Sequence, residues 1–127
     1  MQEDPLYREV ILEHWKNPQN YGAIKAADIE ADGNNPTCGD QIHLTATVKD
    51  GRLTDIAFTS EGCAISKASA SLFTEEVKGK PLAEIAKLTQ KEALDYLGVT
   101  ITPARHNCAL LCYNTLQQAI PTQLHQQ

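Results

Sequence analysis

Ile42-His43-Leu44-Thr45-Ala46-Thr47-Val48-Lys49-Asp50-Gly51-Arg52-Leu53-Thr54-Asp55-Ile56-Ala57-Phe58-Thr59 is the stretch on which the fold turns. Ile42, Leu44, Ala46 and Val48 alternate with His43, Thr45, Thr47 and Lys49, and a period of two marks a strand with one apolar face. Asp50-Gly51 is the dipeptide a type I′ turn asks for. Leu53 to Thr59, with Ile56 and Phe58 two apart, then returns as the antiparallel partner. A hairpin sets the residues before its first strand beside those after its second. Here these are Asn34-Asn35-Pro36-Thr37-Cys38-Gly39-Asp40 and Glu61-Gly62-Cys63, so strand pairing alone brings Cys38, Asp40 and Cys63 to one sheet end.

The first of these stretches places a soft thiolate and a hard carboxylate two residues apart in a Pro/Gly turn, which can present both outward toward one point. A free cysteine is as a rule a core residue. Cysteines beside Gly, Pro, Asp and Asn at element ends fit that rule poorly, because loops run over the surface and carry function. Cys108, behind Pro103-Ala104-Arg105-His106-Asn107 at a helix start, completes a set of Cys38, Asp40, Cys63 and Cys108.

Outward from the hairpin, residues 27–32 alternate weakly and are expected to form an edge strand. Leu6 to Lys16 carries apolar residues at 6, 7, 10, 11 and 15 behind Asp4-Pro5, the pattern of a short amphipathic helix, with His14 on its solvated side. Trp15 and Tyr21 are expected to be packing and interface residues, and His43 to be solvated on the polar strand face. Ala64 to Lys78, rich in small residues and stopped by Gly79, is expected to be helical, with Cys63 at its N-terminus where unpaired N–H groups favour an anion. Shorter helical pieces follow over Pro81–Leu88 and from Thr89 or Gln90 to Leu97. The last helix is expected over Ala104–Ala119, with Cys112 one turn beyond Cys108, most simply a buried helix residue and otherwise an alternate thiol that takes a sulfur or a metal from Cys108.

At 127 residues, with no linker or repeat, the chain is expected to be a single domain, 1–127. A formal charge of −5 argues against nucleic acid as a partner. Mean hydropathy of −0.35, and no apolar run near the ~20 residues that span a bilayer, argue against a membrane protein. The N-terminus has no basic region followed by an apolar run, and 4 cysteines are sparse for a disulfide framework, so a cytoplasmic location is expected.

Taken together, Leu6-Tyr7-Arg8 through Asn17-Pro18, Asn34 to Asp40, Glu61-Gly62-Cys63-Ala64-Ile65-Ser66 through Ser71, and Pro103-Ala104-Arg105 with Cys108-Ala109 resemble the U-type iron-sulfur assembly family. That family comprises IscU, the N-terminal domain of NifU and SufU, and the resemblance is greatest to the SUF-type SufU branch. It implies an α+β fold of the SufE/NifU-like kind, with a small antiparallel sheet of about three strands packed against helices. It implies a metal or cluster site of Cys38, Asp40, Cys63 and Cys108, and Cys38 as the thiol that accepts sulfur, with Cys108 the runner-up. Arg105 would hold the partner or an anionic intermediate. The implied partners are a cysteine desulfurase and apo iron-sulfur acceptor proteins. The sequence departs from the IscU branch in having Asn107, not histidine, directly before Cys108, with His106 one residue earlier. Where IscU carries a chaperone-binding Leu-Pro-Pro-Val-Lys, this chain reads Ile101-Thr102-Pro103-Ala104-Arg105. The span between Cys63 and Cys108 is also shorter than the SUF branch has.

Three thiolates and a carboxylate suit zinc in a closed tetrahedral site, and equally one edge of a transient [2Fe-2S] cluster or bound iron. A carboxylate among thiolates is the more replaceable ligand, which makes Asp40 the expected labile position. The chain is therefore expected to be a sulfur acceptor and scaffold, a zinc-dependent sulfurtransferase in one form of that expectation. A structural zinc domain that only mediates protein contacts is the alternative, although such domains usually use close Cys-x2-4-Cys knuckles and none occurs here.

Overall fold

The computed structural model describes residues 7–36, 39–98 and 101–120. The elements run α1 (Tyr7–Lys16), β1 (Ile29–Asn35), β2 (Asp40–Lys49), β3 (Arg52–Glu61), α2 (Ala64–Val77), α3 (Leu82–Ala86), α4 (Gln90–Asp95), a 3-10 turn (Pro103–Arg105) and α5 (His106–Ala119). The strands form one antiparallel sheet in the order β1-β2-β3, so the fold is α+β as expected.

The hairpin follows its residues closely. Lys49 pairs with Arg52 across a two-residue turn, and Asp50 and Gly51 take φ of 54° and 76°, the left-handed pair that a type I′ turn demands. Between Thr47 and Val48 the register shifts, leaving an extra residue on β3 and tightening the twist near the turn. Ile42, Leu44, Ala46, Leu53, Ile56 and Phe58 are buried and meet Ala70, Phe73 and Val77 of α2 and Leu110, Leu111 and Leu116 of α5. This helix-on-sheet layer is the main core. A second apolar cluster joins Ile11 of α1, Ile65 and Ala68 of α2, Leu97, Ile101 and the start of α5 at Cys108 and Ala109.

The outer edge of β3 is covered by chain. The Phe58 N–H donates to the Asn20 carbonyl at 2.9 Å and the Gly22 N–H to the Phe58 carbonyl at 2.7 Å. Further along, the Gly79 N–H reaches the Leu53 carbonyl at 2.6 Å and the Leu53 N–H reaches the Lys80 carbonyl at 2.9 Å. Edge groups that would otherwise template another strand are thereby paired.

Several expectations need correction. The edge strand lies at Ile29–Asn35, not 27–32, because pairing with β2 carries it through Gly33, Asn34 and Asn35 despite their low strand propensity. Thr45 is buried, since residues 20–25 cross the face that alternation assigned to solvent and the Ile24 N–H donates to its hydroxyl at 2.9 Å. His14 is not solvated: its Nδ1 lies 2.7 Å from the Ser71 hydroxyl and ties α1 to the small-residue face of α2. His43 stands on the polar face but is paired, with Nδ1 2.6 Å from the Asp32 carboxylate. Trp15 and Tyr21 remain 42% and 47% exposed, although Tyr21 rests edge-on against Phe58. The two short helices are α3 and α4, the latter opened by a complete capping box between Thr89 and Glu92. Among the described residues no helix is long and apolar enough to cross a membrane.

Candidate metal centre

The β2–β3 pairing does what the hairpin promised. Asp40 opens β2, Gln41 pairs with Glu61, and the chain leaving β3 turns through Gly62 into Cys63. Gly62 has φ +133°, and a Cβ there would run into the Asp40 carboxylate and stand 2.8 Å from the Asp40 Cα. Glycine is required by both the backbone and the space. With no side chain in the way, the Cys63 N–H donates to Asp40 Oδ1 at 2.8 Å, and Cys63 Sγ comes to 3.7 Å from Asp40 Oδ2.

Cys63 is the N-cap of α2. Its sulfur accepts the Ser66 N–H at 3.4 Å, which uses one of the unpaired donors at the helix start. Cys108, third residue of α5, is brought in from the far side. Its sulfur accepts from Asn35 Nδ2 at 3.7 Å, and Asn35 is the residue paired with Asp40 across β1 and β2.

One ligand atom each from Asp40, Cys63 and Cys108 lies within 4.8 Å of the other two. For a tetrahedral zinc with Zn–S near 2.3 Å and Zn–O near 2.1 Å, a sulfur and an oxygen ligand stand about 3.6 Å apart. The Cys63–Asp40 separation of 3.7 Å matches that edge, and the donor set fits zinc or one edge of an iron-sulfur cluster. Thr37 and Cys38 lie outside the described residues, so three of the four expected ligands are seen to converge.

The carboxylate is not presented outward. Asp40 is fully buried and Cys108 is 3% exposed, so that of the three described residues Cys63, half-buried, is the nearest to solvent. The carboxylate is therefore held by a backbone donor inside the protein, with Oδ1 on the Cys63 N–H and Oδ2 facing the Cys63 sulfur. His106 does not face the cluster: its Nε2 is 3.0 Å from the Ile101 carbonyl, which pins the loop leading to α5. Arg105 is exposed at the start of α5, outside the ligand group. Cys112 packs in the main core, where burial raises its thiol pKa, while Cys108 belongs to the second cluster. Sequence reasoning passed over two contributors, Gly62 and Asn35. Both lie beside the cysteine motifs, but their contacts depend on strand register and on where α5 docks.

The family model described as NifU-like N terminal domain matches residues 6–127. The chain is 38% identical to the Zinc-dependent sulfurtransferase SufU of Bacillus subtilis, over 92% of this chain and 90% of that protein. It is 36% identical to the Iron-sulfur cluster assembly scaffold protein IscU 1 of Archaeoglobus fulgidus, over 91% of this chain and 74% of that one. Among solved structures, the putative iron-sulfur cluster assembly scaffold protein for the SUF system from Fervidobacterium islandicum AW-1 superposes with a TM-score of 0.73 at 26% identity, covering 89% of this chain and 95% of that one.

Proposed function

The chain belongs to the family of NifU-like N-terminal domains, and on that premise we propose that it takes persulfide sulfur from a cysteine desulfurase and holds a metal or nascent cluster at Cys38, Asp40, Cys63 and Cys108. The observation that carries this is the convergence of Asp40, Cys63 and Cys108 from β2, the start of α2 and α5, within 4.8 Å of one another. The relatives named as a zinc-dependent sulfurtransferase and as a cluster assembly scaffold support it over a purely structural zinc domain.

Bound zinc would keep the site's thiols deprotonated and hold them in place. The protein's own groups do the rest. Cys63 N–H fixes the Asp40 carboxylate, Ser66 N–H faces the Cys63 sulfur, and Asn35 faces Cys108. In the transfer step the Cys38 thiolate attacks the outer sulfur of the donor persulfide. The donor's S–S bond breaks, its cysteine departs as a thiolate, and a persulfide forms on Cys38, with no net oxidation or reduction. The burial of Cys108 supports Cys38 as the receiver, since attack needs access. Arg105, exposed beside the site, is suited to an anionic partner group. The sulfur then passes to a nascent cluster bound for apo iron-sulfur acceptor proteins, in the cytoplasm.

The test is desulfurase turnover with free cysteine as substrate. Adding the protein should raise turnover by clearing the donor's persulfide, and Cys38→Ser should lose the effect, with its zinc content and folding measured alongside. Stimulation that survives in Cys38→Ser and vanishes in Cys108→Ser moves the receiving role to Cys108. No stimulation by the parent protein refutes sulfur acceptance.

A further inference from the structure

Each described residue of the centre faces an N–H donor. Asp40 Oδ1 receives the Cys63 N–H at 2.8 Å, Cys63 Sγ the Ser66 N–H at 3.4 Å, and Cys108 Sγ the Asn35 carboxamide at 3.7 Å. The first two donors are backbone groups and persist whatever side chains the sequence carries there. The third is a side chain.

We propose that Asn35 is a positioning residue for Cys108, whose carboxamide N–H holds that sulfur toward Asp40 and Cys63 and draws electron density out of its bond to a metal. The inference rests on the metal-site reading above and adds to it the residue that tunes one ligand.

The placement of Asn35 is over-determined. It ends β1 paired with Asp40, and its carbonyl accepts the Gly39 N–H at 2.8 Å. Its side chain is buried, at 7% exposure, where an unpaired amide donor is costly. A coordinated thiolate can only accept, so the nitrogen end of the carboxamide is the end that fits. No side chain of the same length offers the same group. Aspartate keeps the shape but sets an anion against a thiolate, and leucine keeps the shape with no donor. Partners that orient a first ligand in this way also set its donor strength.

Cobalt(II) added alone to the full chain is a direct probe, because its sulfur-to-metal charge-transfer band reports how electron-rich the thiolates are. At saturating cobalt, the band of Asn35→Leu should move to longer wavelength than the parent's, since a sulfur that loses this donor gives up an electron more easily. Asn35→Asp should move the same way, and Asn35→Gln, which retains the donor, should stay near the parent. A parent-like band in Asn35→Leu overturns the proposal, as does a shift in Asn35→Gln equal to that in Asn35→Leu. If Asn35→Leu does not fold, judged by far-UV circular dichroism, Asn35→Asp against Asn35→Gln decides: a red shift in the first alone supports the proposal, and parent-like bands in both overturn it. A parent protein that takes up no cobalt refutes the metal site itself, which is a different failure.

Discussion

Replacing Gly62 by alanine attacks the centre without touching a ligand. The residue sits at φ +133°, so a side chain there meets backbone strain of about 1–3 kcal/mol. The new Cβ also runs into the Asp40 carboxylate and stands 2.8 Å from the Asp40 Cα, a backbone atom that cannot swing aside; overpacking of this kind costs about 1–3 kcal/mol more. Gly79 provides the control. It has φ +89° and nothing within 4 Å of a built Cβ, so Gly79→Ala carries only the left-handed backbone cost of about 1–2 kcal/mol. At about 4 °C per kcal/mol for a domain of this size, Gly62→Ala should lower the melting temperature by about 8–24 °C and Gly79→Ala by about 4–8 °C. The assay is thermal unfolding of metal-free protein by circular dichroism, with zinc affinity from competition against a chelator. Gly62→Ala should also weaken zinc, because shifting Asp40 misplaces Oδ2 and opens the Cys63 N–H bond, whereas Gly79→Ala should bind as the parent does. Equal melting points for the two variants, with zinc affinity unchanged in both, would refute the close-approach account of Gly62.

Asp40→Ala should slow cluster transfer to an apo acceptor, since the oxygen ligand is lost while the thiolates stay. It should also destabilise the metal-free fold by about 1–3 kcal/mol, through the Cys63 N–H left without its acceptor, which a denaturant titration would show. Cys112→Ser should cost about 1–3 kcal/mol, because a hydroxyl replaces a sulfur in the apolar core, yet leave zinc stoichiometry and desulfurase stimulation as in the parent. A fall in zinc content with that substitution would place Cys112 in the site.

The hairpin and the Asp40–Cys63 junction were legible because both are local. Period two, an Asp50-Gly51 turn and antiparallel pairing leave little freedom in where the strand ends meet. β1 was legible only as a weak edge strand, and its true span follows from partners: β2 supplies the register, and α5 comes so close at Thr115 that only glycine fits at position 33. The place of Cys108 depends on the docking of α5 on the sheet, which no spacing in the sequence encodes; its position at a helix start put it in the set and the resemblance agreed, and Asp40, Cys63 and Cys108 do meet. His14 was misassigned because the polar side of α1 meets the serine side of α2, a polar contact between helices that an amphipathic pattern reads as solvent.

The order in which the ligands leave the ribosome has its own consequence. Asp40 and Cys63 flank one hairpin and face each other as soon as it closes, whereas Cys108 arrives on the last described helix. A chain still being made, or cut short before α5, offers an ion a carboxylate and a thiol from this group but no Cys108. If the site holds a metal as proposed, full coordination waits for α5 to dock, and the ion would then clasp the early hairpin to the late helix and stabilise the folded state.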